Sequence, residues 1–209
     1  YPLRRQRQMC IRDRYILFDD CYMSSVEVAY ELKEATRFLI ASTSEMMAYG
    51  MSYATVGEFL LGNPDYGSLC EGFHDFYSTY EMMPCGTLAV TDCSELDNMA
   101  AIMKSINDRY VFDDSLQGEL QGLDGYTPVI FYDFADYVLT LCSDPVLTAR
   151  FREQLERLVP YKTHTGKFYS RTKGPLPIHT FSGITISDPS TNPMALLKGT
   201  TSWYKATHE

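Results

Sequence analysis

Short apolar runs alternate with longer stretches of helical period along the chain. Tyr15-Ile16-Leu17-Phe18 is four continuous apolar residues, the mark of a strand buried on both faces of a parallel sheet. Asp19-Asp20-Cys21 follows, and then Ser24-Ser25-Val26-Glu27, a capping-box pattern with Ser24 as N-cap and Glu27 three residues on. Val26, Ala29, Tyr30 and the stem of Lys33 mark one face of a helix over about 24–36. A second short apolar run, Phe38 to Ser42, completes a strand-helix-strand unit, which implies parallel strands and a right-handed crossover. After the Tyr49-Gly50 break, helical stretches are predicted at 53–61, ended by Gly62-Asn63-Pro64, and at 66–81. Thr87 to Thr91 reads as a third strand and 94–109 as an amphipathic helix on Leu96, Met99, Ile102, Met103 and Ile106. Residues 113–128 hold three glycines and a proline and read as a loop; helices follow at 131–142 and 145–159. Phe181 to Ser187 alternates until Asp188-Pro189 and suits a strand. The class is α/β, without internal repeats or low-complexity runs.

Composition narrows the function. The chain has 209 residues, 45% hydrophobic, enough for one domain with a sizeable core or two small ones. A net charge of -9 argues against nucleic acid as a partner, and no run of 18 apolar residues offers a membrane span. The six cysteines lack CxxC spacing, so neither a zinc ribbon nor a disulfide framework is expected. Cys70 and His74 stand four apart on a predicted helix, a metal pair in principle, but no further ligands join them and packing is the simpler role. No metal and no cofactor is called for. Residues 1–14 carry five arginines and no period, against an acidic and strongly patterned remainder. The segment resembles translated sequencing adapter, non-native sequence ahead of a domain over 15–209; a basic arm for an anionic partner is the functional alternative.

Cys21 is the chemically pointed position. Catalytic groups of open α/β sheets lie beyond the carboxyl ends of their strands. A helix N-terminus favours a nearby thiolate, and its N–H groups could stabilise an oxyanion. The alternative is a small hydrophobe filling a strand-helix corner. Other chemistries fail on spacing: a phosphatase loop needs arginine six residues after the cysteine, where Glu27 stands. The patterns GxxxxGK[ST], GxGxxG and GxSxG are missing. Residues two apart on an extended chain point the same way, so Asp19 and Cys21 share a face.

Leu17-Phe18-Asp19-Asp20-Cys21-Tyr22-Met23 and the continuation through Glu27-Val28-Ala29-Tyr30-Glu31-Leu32 resemble the nucleophile motif of the clostripain family of cysteine peptidases. Ile40 to Glu45 and Gly50-Met51-Ser52-Tyr53 are similar to its next strand and loop. Phe181 to Ile186 and Ser202-Trp203-Tyr204 are similar to its closing strand and tail. The resemblance implies a caspase-like fold, a mostly parallel sheet flanked by helices, and a Cys-His dyad cleaving peptides or proteins after basic P1 residues. It assigns Cys21 as nucleophile and Asp19 as the carboxylate of the P1 pocket, able to pair with arginine or lysine. Glu45 adds negative charge to that pocket or is a solvated loop residue, and Asp19 otherwise caps the following helix. By the same resemblance the protein is bacterial and exported or at the cell surface.

Two departures from the family pattern matter. Asp20 replaces a small residue and should raise the thiol pKa unless it turns outward. The family's general base is a His-Gly upstream of the cysteine on a neighbouring strand. Here all four histidines (His74, His164, His179, His208) come later, none followed by glycine. The expectation is therefore an N-terminally truncated member that lacks its first strands and its base and is inactive alone, its open sheet edge prone to aggregation. A non-catalytic descendant that kept the fold for binding is the alternative.

Overall fold

The computed structural model describes residues 13–209, with Asp13 as backbone only. Residues 1–12 of the segment expected to be foreign, Cys10 among them, lie outside the described residues. The first strand opens earlier than its apolar run, as β1 (Asp13–Leu17). Arg14 reaches across to the Gly62 carbonyl at 3.1 Å and to the Asn63 side chain.

The N-terminal unit is the one its pattern predicts: β1, helix α1 (Val26–Leu32) and strand β2 (Thr36–Ala41), with β1 and β2 parallel, Tyr15 opposite Phe38 and Leu17 opposite Ile40. Its cap differs. Ser25 caps α1, its side chain accepting from the Val28 amide. Ser24 is occupied elsewhere, its N–H donating to Ser42 O and its hydroxyl to Gly183 O. Glu27 is turned into the protein, where it accepts from the Ser187 N–H at 2.7 Å instead of reaching back over the cap.

Strand β3 (Thr87–Asp92) pairs antiparallel with β2, and β5 (Tyr161–His164) antiparallel with β3, giving the order β1-β2-β3-β5. The α/β class and the helix-flanked sheet stand. Among the described residues the β1–β2 pair of this sheet is parallel and the β2–β3 and β3–β5 pairs are antiparallel, so the sheet described is mixed rather than mostly parallel. The connections after β2 and β3 are long and carry helices, yet each brings the chain back antiparallel to the strand it left. Among the described residues β1 pairs with β2 alone.

Both sheet faces are covered, and strict alternation divides the strands between them. Leu39, Ala41 and Ala89 face a core with α1, helix α4 (Leu96–Asn107), α5 (Phe134–Leu141), α6 (Pro145–Leu158) and the terminal α7 (Ser202–His208). Ile40, Leu88 and Val90 face the other core, built on helix α3 (Tyr66–Ser78) and the short α2 (Tyr53–Val56). The helix expected over 53–61 is α2 continued by a 3-10 turn, Gly57–Leu60. The loop over 113–128 contains one 3-10 turn, Asp114–Glu119.

Late in the chain a two-residue strand β4 (Tyr132–Asp133) pairs with β8 (Thr185–Ile186), and β6 (Lys167–Ser170) forms a hairpin with β7 (Gly174–Pro177). The strand expected over 181–187 is thus only two residues long. Gly183 has φ +82°, and the Ser182 N–H and hydroxyl both donate to the Asp133 carboxylate, which bends the chain before β8. The five described cysteines are all free thiols.

Candidate active site

The site is assembled where β1 and β2 run out together. Beyond the strands the two chains stay side by side, Phe18 N donating to Ile40 O, Tyr22 N to Ser44 O and Ser24 N to Ser42 O. Residues 19–23 are thereby held against the loop over 42–53. That loop is anchored by buried hydroxyls: Ser42, Thr43 and Ser44 all hydrogen-bond Thr87 Oγ1 of β3, at 2.8–3.0 Å. Buried polar groups keep such fixed geometry because an unmade bond costs about 1–3 kcal/mol.

Cys21 sits half-buried at the turn. Its sulfur accepts from the Met46 N–H at 3.2 Å and lies 3.8 Å from Met46 O. Burial pushes the thiol above its ordinary value; the Met46 amide pulls it down, and the charges of Asp20 and Glu45 push it up again. The helix N-terminus expected to support the thiolate is not the donor at the sulfur. Helix α1 begins only after Ser25, and the N–H that reaches Sγ comes from the loop after β2. Asp20 is exposed, and its Oδ1 accepts from the Cys21 N–H at 2.8 Å.

Tyr22 takes φ +61°, an uncommon conformation for a bulky residue. Its ring stacks on Phe131 (centroids 5.2 Å, 14° apart), and its hydroxyl donates to Glu45 Oε1 at 2.9 Å. The same Glu45 oxygen accepts from the Arg171 N–H just beyond β6. Glu45 is thereby tied to the hairpin as well as to the residue after Cys21. Asp124, fully buried, closes the loop behind Phe131 by accepting the amides of Tyr126, Ile130 and Phe131.

Asp19 meets the far end of the 42–53 loop. Its Oδ1 accepts from the Met51 N–H at 2.8 Å, and Gly50 (φ +71°) passes so close that a Cβ there would lie 2.8 Å from both carboxylate oxygens. Tyr77 of α3 fixes Gly50, donating to its carbonyl at 2.6 Å. One loop therefore touches Cys21 through Met46 and Asp19 through Gly50 and Met51, and carries Glu45. No sequence signal marked Met46, Tyr22 or Arg171. Gly50 could have been found, since a glycine beside a charged strand end is where a backbone approaches closely.

No histidine joins this group. His74 contacts Asp75 and Ser78, His164 the Thr165 carbonyl and the Phe181 ring, and His208 stacks on Tyr204; none hydrogen-bonds the Cys21 sulfur. Cys70 and His74 line a separate cavity of about 920 Å³ with Tyr161 and His164 of β5. Burial pushes the Cys70 thiol up to about 12, which suits a packed thiol. Among the described residues no group of three acidic, His or Cys side chains is arranged to hold a metal.

A family model, Peptidase C11, the clostripain family, matches residues 12–151. The chain belongs to the clostripain family. A clostripain from Bacteroides thetaiotaomicron ATCC 29148, solved in complex with the peptide inhibitor BTN-VLTK-AOMK, is 62% identical, over 95% of this chain and 89% of that one, with a TM-score of 0.94. A secreted C11 cysteine protease of the same species, "iotapain", is also 62% identical over 95% of this chain, at TM-score 0.94; the match covers 57% of its own length. An inactive zymogen C11 protease from Parabacteroides distasonis is 29% identical over 98% of this chain and 61% of that one, at TM-score 0.81. No curated protein sequence matches. By lineage the protein is a bacterial cysteine-type peptidase of caspase-like fold, and its substrates are peptides or proteins. No helix among the described residues is long and apolar enough to cross a membrane.

Proposed function

We propose that this chain supplies the nucleophile and the P1 pocket of an endopeptidase that cleaves after arginine and lysine. The observation that carries the proposal is the pairing of Cys21 and Asp19 across one loop: the Met46 N–H holds the sulfur and the Met51 N–H holds the carboxylate. A clostripain 62% identical to this chain was captured with an inhibitor whose name puts K next to its AOMK group, a cationic residue of the kind Asp19 would bind. Glu45 adds negative charge near the same pocket while bracing Tyr22 and Arg171.

In the reaction the Cys21 thiolate attacks the carbonyl carbon of the basic residue itself. A histidine takes the thiol proton and later passes it to the leaving amine, and water then hydrolyses the thioester. The Cys21 N–H is the natural donor to the developing oxyanion, once Asp20 releases it. The base comes from outside these 209 residues, on a strand beside β1; none of the four histidines present hydrogen-bonds the sulfur, and the rings of His74, His164 and His208 have other partners. By analogy with its secreted relative the protein is exported.

A non-catalytic descendant is the second reading, favoured by the Asp20 carboxylate on the Cys21 N–H and by the raised thiol. Hydrolysis of Arg- and Lys-terminated reporters by the full-length protein separates the two. Turnover lost on Cys21→Ala, with Asp19→Ala lowering kcat/KM for Arg about 100-fold or more by leaving the guanidinium unpaired, supports the peptidase. A folded full-length protein that turns over no reporter supports the descendant. The isolated 209-residue chain is expected to be inactive in either case.

A further inference from the structure

Beside the nucleophile lies a cavity of about 450 Å³ that the P1 assignment leaves without a role. Its walls come from three parts of the chain: Met46, Met47 and Tyr49 from the loop after β2, Tyr80 and Met83 from the turn after α3, and Tyr169 from β6. Glu45 and Arg171 stand at its polar rim, and the Glu45 bond to the Arg171 N–H joins the hairpin wall to the loop wall. Two further apolar surfaces are left in water here, Tyr49 at 54% and the cavity residue Met82 at 82% exposure. Tyr49 is steadied from below by Phe76 and Tyr80, at ring distances of 4.8 and 6.0 Å. Unbranched thioethers over a rigid aromatic floor make a surface that fits apolar side chains of more than one shape.

We infer that this cavity takes an apolar side chain of the substrate at one of the positions P2 to P4, so that the peptidase reads an aliphatic or aromatic residue upstream of the basic one. The inference rests on the proposed P1 role of Asp19. Neither Cys21 nor Asp19 lines the cavity, but its walls include Met46, whose backbone N–H holds the Cys21 sulfur, and Tyr49, next to the Gly50 that packs on Asp19. A site built on the loop that joins the sulfur's donor to the P1 carboxylate belongs to the acyl side of the scissile bond, because residues on the leaving-group side extend from the sulfur away from the P1 pocket. The apolar walls choose the side chain class: leucine or methionine displaces water from them, whereas a charged side chain laid on them would lose hydration, its partners Glu45 and Arg171 being confined to the rim.

Equilibrium binding separates this inference from the P1 reading, because it needs no turnover. Fluorescent peptides are titrated into the Cys21→Ala form of the full-length protein, with Arg or Gly at P1 and Leu or Gly in turn at P2, P3, P4 and P1′. Leucine at one upstream position is expected to tighten binding about tenfold over glycine, the scale set by burying most of one aliphatic side chain. In Met82→Ala/Met83→Ala that gain should fall to about threefold or less, and in Tyr169→Ala likewise, with the melting temperatures checked first; the Arg-over-Gly preference at P1 should persist in both. Equal affinity for Leu and Gly at P2, P3 and P4, a gain untouched by both variants, or a gain at P1′ alone overturns the inference. Loss of the P1 preference with the leucine gain intact instead overturns the reading of Asp19.

Discussion

At the scale of the residue, the two groups nearest the Cys21 sulfur work against each other. The Met46 N–H favours thiolate, while Asp20 opposes it by charge and also holds the Cys21 N–H that an oxyanion would need. Asp20→Asn keeps an acceptor for that N–H and removes the charge; Asp20→Ala removes both. Cys21 should therefore react with iodoacetamide several-fold faster below its pKa in both variants, with the midpoint of the pH–rate curve moved to lower pH. Only Asp20→Ala should also raise kcat in the full-length enzyme, by about tenfold, because it alone frees the oxyanion donor. Unchanged alkylation profiles would mean that Asp20 faces solvent during the reaction. The placement of Cys21 and Asp19 together beyond a strand end was legible because strand end and two-residue spacing are local pattern. The direction of the Asp20 effect was legible too, since it needs only charge and adjacency. The sulfur's donor was not: Met46 lies 25 residues on, and a backbone N–H leaves no mark on sequence.

At the scale of the element, the 42–53 loop is the part on which the site depends. Gly50 holds its conformation at φ +71° with no room for a Cβ beside Asp19. Gly50→Ala should cost about 1–2 kcal/mol from the backbone conformation alone and push the Asp19 carboxylate off the Met51 N–H. The expected signature is a rise in KM for Arg reporters and a weakened P1 preference, with Cys21 alkylation close to wild type because Met46 is four residues away. Alkylation that falls together with P1 preference would show that the loop moves as one piece. The helices up to α6 and the first three strands were readable from period and caps, yet β4, β5, β6, β7 and the terminal α7 were not. Tyr161–His164 is mostly exposed, so no apolar run marks it. Gly174–Pro177 contains two prolines, which argue against a strand, although a two-stranded ribbon tolerates them where the missing N–H faces away from its partner. The same blindness hid the Tyr169 and Arg171 side of the site.

At the scale of the whole molecule, the C-terminal segment clamps the nucleophile's helix on the face of the sheet that the two share. Thr185 bridges to Ser25, Trp203 is fully buried against Tyr30 and Phe134, and Ser187 donates to Glu27. Glu27 is the weak joint in that clamp. Burial, and then the charge of Asp188, lifts its carboxyl from 4.5 to about 7, and Asp188 itself is lifted to about 6, mainly by burial. Glu27 Oε2 and both Asp188 oxygens have no hydrogen-bond partner among the described residues, while the Lys198 ammonium is spread over the carbonyls of Ser187, Asp188 and Ser190. A carboxyl raised in the folded state contributes stability below its unfolded pKa and loses it as pH climbs through the folded one. The Glu27 contribution should therefore be complete below about pH 4.5 and gone above about pH 7, a loss of about 3 kcal/mol. Asp188 acts in the same sense as Glu27, and His208, lowered mainly by burial and 3.9 Å from Asp188, in the opposite sense near its own ordinary value, so the wild-type curve alone mixes all three. The difference between wild type and Glu27→Gln isolates the carboxyl. Urea midpoints measured from pH 5 to pH 8.5 should show the Gln form gaining on wild type steadily up to about pH 7 and levelling off beyond. A constant offset over that range would mean that Glu27 keeps one protonation state throughout, and that the clamp on α1, and through it the setting of Cys21, is indifferent to pH.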